Sequence, residues 1–172
     1  MSDSILAALV AAGVSALVSL TVALAQLRQG KASHRSRIQR DISAKYDKML
    51  DYRLQRPEVL TRAHNWGPEC FAEIYSRDDD EGRTWAIYYG YVELVIFYCN
   101  AVLHARDKGL LDPGGYEYEH EPLIRLLLAE HYPILSEIVR PGGYVTRYLV
   151  EHVAELQRQG WDWKAEHQRL SI

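Results

Sequence analysis

Hydrophobic and polar residues are distributed very unevenly along this chain. Between Asp3 and Arg28 lie 24 consecutive residues without a charge, from Ser4 to Leu27, and no proline interrupts them. A helix rises about 1.5 Å per residue, so about twenty residues span a hydrocarbon core with a thickness of about 30 Å. A soluble core helix usually carries one polar stripe, and this segment has none. The pattern therefore predicts an N-terminal transmembrane helix.

A cleaved signal peptide is the alternative interpretation of this segment. The tripeptide Ala23-Leu24-Ala25 is similar to a cleavage site. However, the first four residues contain no Lys or Arg, and the apolar stretch exceeds the about 7–15 residues of a signal core. We therefore expect a retained membrane anchor.

Charge changes sign along the rest of the chain, although the whole carries a net charge of only −3. Residues 28–56 contain nine Lys/Arg and three Asp, whereas residues 57–172 contain eleven Lys/Arg and nineteen Asp/Glu. The positive-inside rule then predicts a single-pass protein of the inner (cytoplasmic) membrane, with its N-terminus outside and its C-terminal domain in the cytoplasm. The basic residues nearest the span either contact anionic lipid, at about 1 kcal/mol each, or only fix the topology. They are Arg28, Lys31, Arg35, Arg37 and Arg40.

Small residues recur along one face of the predicted span at spacings of three and four. Such stripes let helix backbones approach closely, and they favour a homo-oligomer or a protein partner that docks through the span. An alanine-rich helix also produces a stripe of this kind by chance. The candidate helix–helix interface consists of Ala8, Ala12, Ser15, Ser19 and Ala23.

Helical periodicity with Gly and Pro punctuation continues through the remaining residues, and no strand pattern of useful length occurs. Apolar positions predict an amphipathic helix from His34 to about Leu54, ended by Pro57, with Gly30 as the weak point between it and the span. Further helices are expected after Pro122, Pro133 and Tyr144. The predicted fold class is all-α, with one N-terminal transmembrane helix followed by a small cytoplasmic helical bundle. The predicted domains are the tail and anchor at 1–30, the basic juxtamembrane helix at 31–56 and the cytoplasmic helical domain at 57–172.

The segment from Thr84 to Lys108 is apolar except for one polar stripe. Its length allows a second span, but a central carboxylate, an asparagine and several tyrosines favour the buried central helix of a soluble domain. By helical spacing Glu93, Asn100 and His104 share one face. They are either a binding site, or polar groups whose contacts with neighbouring helices fix the packing. Glu93 and His104 lie about 16 Å apart on a straight helix, too far to share one metal ion.

Motifs that carry catalysis or bind a cofactor are not apparent in the sequence. Four of the seven histidines directly follow a glutamate, but no His-x-x-x-His or Cys-x-x-Cys pair provides a ligand face. Too few basic residues accompany the aromatic ones for a nucleic-acid surface. We therefore predict no catalytic residues, no metal, no cofactor and no nucleic-acid partner.

The order of segments resembles a known class of bacterial proteins. A span and a basic helix precede Tyr91-x-Glu93-x-x-x-Phe97-Tyr98-x-Asn100 and Arg106-x-x-Gly109-Leu110-Leu111. This pattern is similar to that of bacterial single-span membrane proteins in families of unknown function, and it implies a cytoplasm-facing helical domain. Our hypothesis is a membrane-anchored, non-enzymatic scaffold, accessory subunit or sensor. The alternative is a membrane-tethered enzyme or ligand-binding domain with a pocket around Glu93 and His104.

Overall fold

The computed structural model describes residues 3–57, 79–139 and 147–170, with side chains from residue 19 onward. Within these ranges the chain is helical between its turns and contains no strand, which confirms the predicted all-α class. The chain divides into two compact units, Met1–Ile38 and Gln39–Ile172.

Helix α1, Asp3–Gln55, contains the whole uncharged run. It continues through Gly30, so the weak point predicted there does not interrupt the helix. In the first unit, every side chain from Ser19 to Arg37 is exposed. The apolar side chains among them are therefore not buried by other residues of this unit.

The second unit begins with the last part of α1, whose predicted inward face is confirmed. Ile42 and Met49 are 3% and 2% exposed. The hydroxyl of Tyr52 donates a hydrogen bond to the carbonyl oxygen of Ile87 at 2.8 Å, which ties this part of α1 to the next helix. The helix ends before Pro57, because proline has no backbone N–H to donate to the preceding turn.

Helix α2, Asp80–Asp107, is the core of the second unit, as the sequence predicts. The side chain of Asp79 caps it by accepting a hydrogen bond from the Gly82 N–H at 2.9 Å, and Gly109 follows it with φ +62°, a conformation that glycine adopts readily. Trp85 and Val95 have no exposed surface. Among the residues whose side chains are described, α2 is the helix long and apolar enough to cross a membrane, and half of its apolar window is buried by the rest of the domain.

Short helices complete the described part of the second unit. The Asp112 side chain caps the single turn α3, Pro113–Gly115, which passes into a π-helical turn, Tyr116–His120. Prolines stand at the starts of α4, Glu121–Glu130, and α5, Tyr132–Ile138, as predicted. Helices α6, Arg147–Arg158, and α7, Trp163–Leu170, follow. α6 packs on α2, whereas α4 packs on the π-helical turn, α5 and α7.

The sequence analysis did not identify two of these elements. The π-helical turn and α7 have no periodic apolar pattern long enough to reveal them, because they contain five and eight residues respectively. The start of the helix predicted after Tyr144 lies outside the described residues.

Candidate functional site

An open groove lies where the end of α1, the middle of α2, the π-helical turn and α4 meet. Its volume is about 260 Å³. The π-helical turn contributes because the Glu121 N–H donates to the carbonyl oxygen of Tyr116, five residues earlier, and this wider turn shifts the residues that face the groove. The groove is lined by Ile42, Ser43, Tyr46, Asp47, Tyr98, Glu119, His120 and Leu123.

Two aromatic side chains and an imidazole form the inner part of this groove. The rings of Tyr46 and Tyr98 lie 5.7 Å apart between centroids and are tilted by 46°. The hydroxyl of Tyr98 lies 3.0 Å from Nδ1 of His120. Burial raises the pKa of Tyr98 and lowers the pKa of His120, although Glu119 opposes the second shift. At neutral pH both groups are therefore uncharged, and they share one hydrogen bond.

Two carboxylates stand at the rim of the groove. Asp47 comes from α1 and Glu119 from the π-helical turn, and both are exposed. Among the described residues that line the groove there is no Lys or Arg. On α1 the neighbouring Lys45 donates to Asp41 at 2.6 Å. The groove therefore combines aromatic walls with a negative rim.

A second polar cluster lies between α1, α2 and the end of α4. Two guanidinium nitrogens of Arg53 donate to the two carboxylate oxygens of Glu130 at 3.2 and 2.9 Å. Next to Glu130, the buried ring of His131 approaches the hydroxyl of Tyr88 at 2.9 Å and the ring of Tyr91 at 5.3 Å between centroids. Burial raises the pKa of Tyr91 to about 12, and Glu130 adds to the shift. These contacts join three helices to one another.

A third polar cluster connects α2 with α6 and the π-helical turn. Arg106 donates to the hydroxyl of Tyr116 at 3.0 Å, and its guanidinium carbon lies 4.9 Å from the centroid of that ring. The same nitrogen lies 3.5 Å from Nδ1 of His152, which is 4% exposed. Burial and the charge of Arg106 lower the pKa of His152 to about 4. His152 is therefore a neutral hydrogen-bonding group at physiological pH.

The four histidines that follow a glutamate are distributed among separate contacts. Each contacts a different partner. No group of three or more potential metal ligands occurs among the described residues. The contacts join His120 to Tyr98, His131 to Tyr88, His152 to Arg106, and His167 to the carbonyl oxygen of Ala129.

The polar stripe that the sequence singled out follows the outer side of α2. Glu93 and Asn100 are half-buried, and His104 is exposed, with its ring 5.0 Å from that of Tyr148. Phe97, in the same stripe, is 56% exposed. No hydrogen bond or ion pair reaches the side chain of Glu93 within the described part of the chain. The structure thus places these residues on one face, but it does not enclose Glu93 and His104 in the groove.

The other candidate residues lie on α1. All five basic side chains are exposed, and they are Arg28, Lys31, Arg35, Arg37 and Arg40. In the candidate helix–helix stripe, Ser19 and Ala23 are exposed, whereas the side chains of Ala8, Ala12 and Ser15 lie outside the described residues.

Reasoning from the sequence did not identify the residues of the groove. Tyr98 and His120 are 22 positions apart and belong to different elements, so helical spacing cannot pair them. The dipeptide Glu119-His120 is the one sequence feature that could have indicated the groove. Its two neighbouring side chains differ in exposure, because Glu119 is exposed and His120 is half-buried. The thiol of Cys99, beside Tyr98, is fully buried, and burial raises its pKa to about 12, which disfavours the reactive thiolate.

Comparisons with protein-family models, with curated proteins and with solved structures give no match for this chain.

Proposed function

We propose that this protein is a single-pass membrane protein whose N-terminal helix anchors a cytoplasmic helical domain. In this proposal the domain acts without catalysis, as a scaffold, an accessory subunit or a sensor in a membrane complex. The observation that carries the proposal is the uncharged run from Ser4 to Leu27, which lies within one uninterrupted helix.

Exposure of the described part of this run supports a bilayer environment. Leu20, Val22, Leu24 and Leu27 are 57%, 50%, 49% and 64% exposed. Leu20, Leu24 and Leu27 share one face of the helix at spacings of four and three, whereas Val22 lies on the opposite face. A single partner helix on the leucine face would therefore leave Val22 uncovered. Burying apolar surface contributes about 25 cal/mol per Å², and a bilayer supplies that burial on every side of the helix.

The distribution of charge supports the orientation. Five exposed basic residues follow the run within α1, from Arg28 to Arg40, and Asp3 precedes it. Lys and Arg are enriched in cytoplasmic segments close to a span, and this enrichment supports a cytoplasmic location for the second unit.

A binding role for the domain is supported by how its polar groups are used. Those of the second unit mostly join helices to one another, as Arg53 joins Glu130 and Arg106 joins Tyr116. The groove beside Tyr98 instead leaves two exposed carboxylates and the half-buried ring of Tyr46 accessible to a further molecule. We therefore assign the domain to recognition rather than to chemistry.

Membrane fractionation tests the anchor. The full chain should remain with the membrane pellet after alkaline carbonate extraction. Val14→Lys combined with Leu17→Lys places two charges in the middle of the run, each costing about 2.5–3.5 kcal/mol in a bilayer, and should release the protein. Leu54→Lys combined with Leu126→Lys changes exposed leucines of the second unit and should leave the protein in the pellet. Extraction of the unaltered chain by carbonate would exclude the anchor.

A further inference from the structure

We propose that the basic face that follows the uncharged run binds the headgroups of anionic phospholipids. The basic face consists of Arg28, Lys31 and Arg35, all in the first unit. This inference rests on the proposed membrane anchor. It adds a lipid class to that proposal, in which the same residues only set the orientation.

Charge on this part of α1 is of one sign. From Arg28 to Arg40 the sequence contains no Asp or Glu, and the first carboxylate after the run, Asp41, accepts a hydrogen bond from Lys45 at 2.6 Å. The side chains of Arg28 and Lys31 are exposed, and no hydrogen bond or ion pair reaches either of them within the described part of the chain. Both cations are therefore accessible to an anion from outside the chain.

The spacing of the three cations concentrates this charge on one side of the helix. Positions three and four apart are neighbours on a helix surface, so Arg28, Lys31 and Arg35 share one face. Like charges at this spacing destabilise a helix, and Gly30, between the first two cations, is a poor helix former. Helix α1 nevertheless continues through this segment. An anion that binds between the cations removes their repulsion, so the segment gains stability from such a ligand.

The position of the basic face relative to the uncharged run matches the depth of phospholipid phosphates. In a helix along the bilayer normal, Arg28 and Lys31 lie about 1.5 and 6 Å beyond Leu27, the last residue of the run. The headgroup region adds about 5–7 Å to each side of the hydrocarbon core. Arg35 lies about 12 Å beyond Leu27, outside this layer but within a Debye length of about 8–10 Å from it. Arg28 and Lys31 therefore reach headgroup phosphates directly, and Arg35 acts at longer range.

The chemistry of these side chains favours lipids with a net negative charge. An Arg guanidinium binds phosphate through parallel hydrogen bonds, and a Lys ammonium binds it as a point charge. A zwitterionic headgroup also contains a phosphate, but its own ammonium group compensates that charge. Phosphatidylglycerol contains no such cation. We therefore expect the basic face to select phosphatidylglycerol over phosphatidylcholine.

The experiment uses the full chain reconstituted into vesicles of phosphatidylcholine. Spin-labelled phosphatidylglycerol or spin-labelled phosphatidylcholine is added in trace amounts, and electron paramagnetic resonance separates lipid immobilised at the protein from bulk lipid. Each Lys or Arg near a membrane surface contributes a factor of about five to the attraction of anionic lipid. Averaged over all the lipid that contacts the helix, phosphatidylglycerol should associate at least about threefold more strongly than phosphatidylcholine. Equal association of the two lipids would overturn the proposal.

Matched substitutions locate the site. Arg28→Gln combined with Lys31→Gln should remove most of the preference, because both cations are lost from the headgroup layer. Lys164→Gln combined with Arg169→Gln removes the same two charges from exposed positions of α7 and should leave the preference unchanged. An equal loss in the two double variants would show that only the net charge attracts the lipid, and it would overturn the assigned site.

Membrane retention separates this inference from the anchor. Alkaline carbonate extraction of the same vesicles should retain the unaltered chain and both double variants, since none of these substitutions changes the uncharged run. Retention without a preference for phosphatidylglycerol would overturn the lipid site alone. Release of the unaltered chain would overturn the anchor, and the lipid site with it.

Discussion

The hydroxyl of Tyr88, on α2, lies 2.9 Å from Nδ1 of His131, the residue that separates α4 from α5. The contact lies in the interior of the second unit. Tyr88 and His131 are each 2% exposed. Such a contact across 43 residues of sequence holds two helices at a fixed separation, since an unpaired buried polar group is costly. The aromatic ring of Tyr91 also packs against this imidazole.

Removal of the Tyr88 hydroxyl should destabilise the second unit. Tyr88→Phe keeps the ring but removes one hydrogen-bonding partner of the buried His131 imidazole, and we expect the free energy of unfolding to fall by about 1–3 kcal/mol. Urea denaturation followed by circular dichroism in detergent measures the change. Tyr118→Phe removes a hydroxyl from a side chain that is 84% exposed, and it should have almost no effect. Equal effects of the two substitutions would contradict a stabilising role for the contact.

The ion pair between Arg53 and Glu130 should contribute more than the pairs on the surface. Its two hydrogen bonds are parallel, and the Glu130 side chain is only 10% exposed. A double-mutant cycle with Arg53→Gln and Glu130→Gln should give a coupling energy of about 1 kcal/mol. The same cycle on Arg147 and Glu151, which are 77% and 61% exposed, should give about 0.3–0.5 kcal/mol. A larger coupling in the exposed pair would refute the prediction.

Acid should destabilise the second unit through His152. Its pKa is about 4 in the folded protein and about 6.5 in an unfolded chain, so the unfolded state binds more protons between these values. The stabilisation is complete above pH 6.5 and is lost as the pH falls towards 4, with a total of about 3 kcal/mol. Burial is the main cause, and among the charged neighbours Arg106 and Arg125 lower the pKa whereas Glu121 and Glu155 raise it.

Substitution of this histidine checks the assignment. His152→Gln should flatten the dependence of unfolding free energy on pH between 6.5 and 4, measured by urea denaturation at several pH values. Part of the slope should remain, because burial also lowers the pKa of His120. His104→Gln removes an exposed imidazole and is the matched control. A slope that His152→Gln leaves intact would assign the acid sensitivity to other groups.

The sequence predicted local structure well and tertiary pairing poorly, for physical reasons. Proline acts locally, so the end of α1 before Pro57 was accessible from the sequence. The buried positions Ile42 and Met49 follow from helical periodicity in the same way. The contact between Tyr98 and His120 depends instead on a π-helical turn, whose wider spacing no periodic pattern reveals.

Glu93 also shows that helical periodicity does not predict tertiary contacts. Helical spacing grouped it with Asn100 and His104, and the three do lie along the more accessible side of α2. Periodicity cannot tell which side of a predominantly apolar helix the neighbouring helices cover. The tyrosines on the remaining sides, such as Tyr88 and Tyr98, are the residues that reach other elements.

Topology reporters test the proposed orientation. A reporter that is active only in the cytoplasm should be active when fused after Ile172 and inactive when fused before Ser2. The opposite pair of results would exclude this orientation. Replacement of the five basic residues near the span by Gln should yield mixed orientations, because these residues supply most of the charge difference across the membrane. They are Arg28, Lys31, Arg35, Arg37 and Arg40.

The last prediction is that two copies, or this chain and a partner, associate through the proposed span. It depends on the stripe of small residues whose last members are Ser19 and Ala23. In lipid no hydrophobic effect drives helices together, so close backbone contact at small residues is a main source of attraction. Ala12→Leu combined with Ser15→Leu keeps the run apolar enough to insert, but it fills the middle of the stripe. We expect the double variant to remain in the membrane and to give a lower yield of crosslinked dimer or partner complex.

Leu9→Ile combined with Val18→Leu alters the same helix without changing its small residues, and it should preserve the crosslinking yield. If Ala12→Leu with Ser15→Leu also preserves the yield, the span is only an anchor. Any assembly must then occur through the helices of the second unit. There the exposed ring of Phe97 on α2 is the first apolar side chain to examine, because it is large, 56% exposed and surrounded by the polar stripe of Glu93 and Asn100.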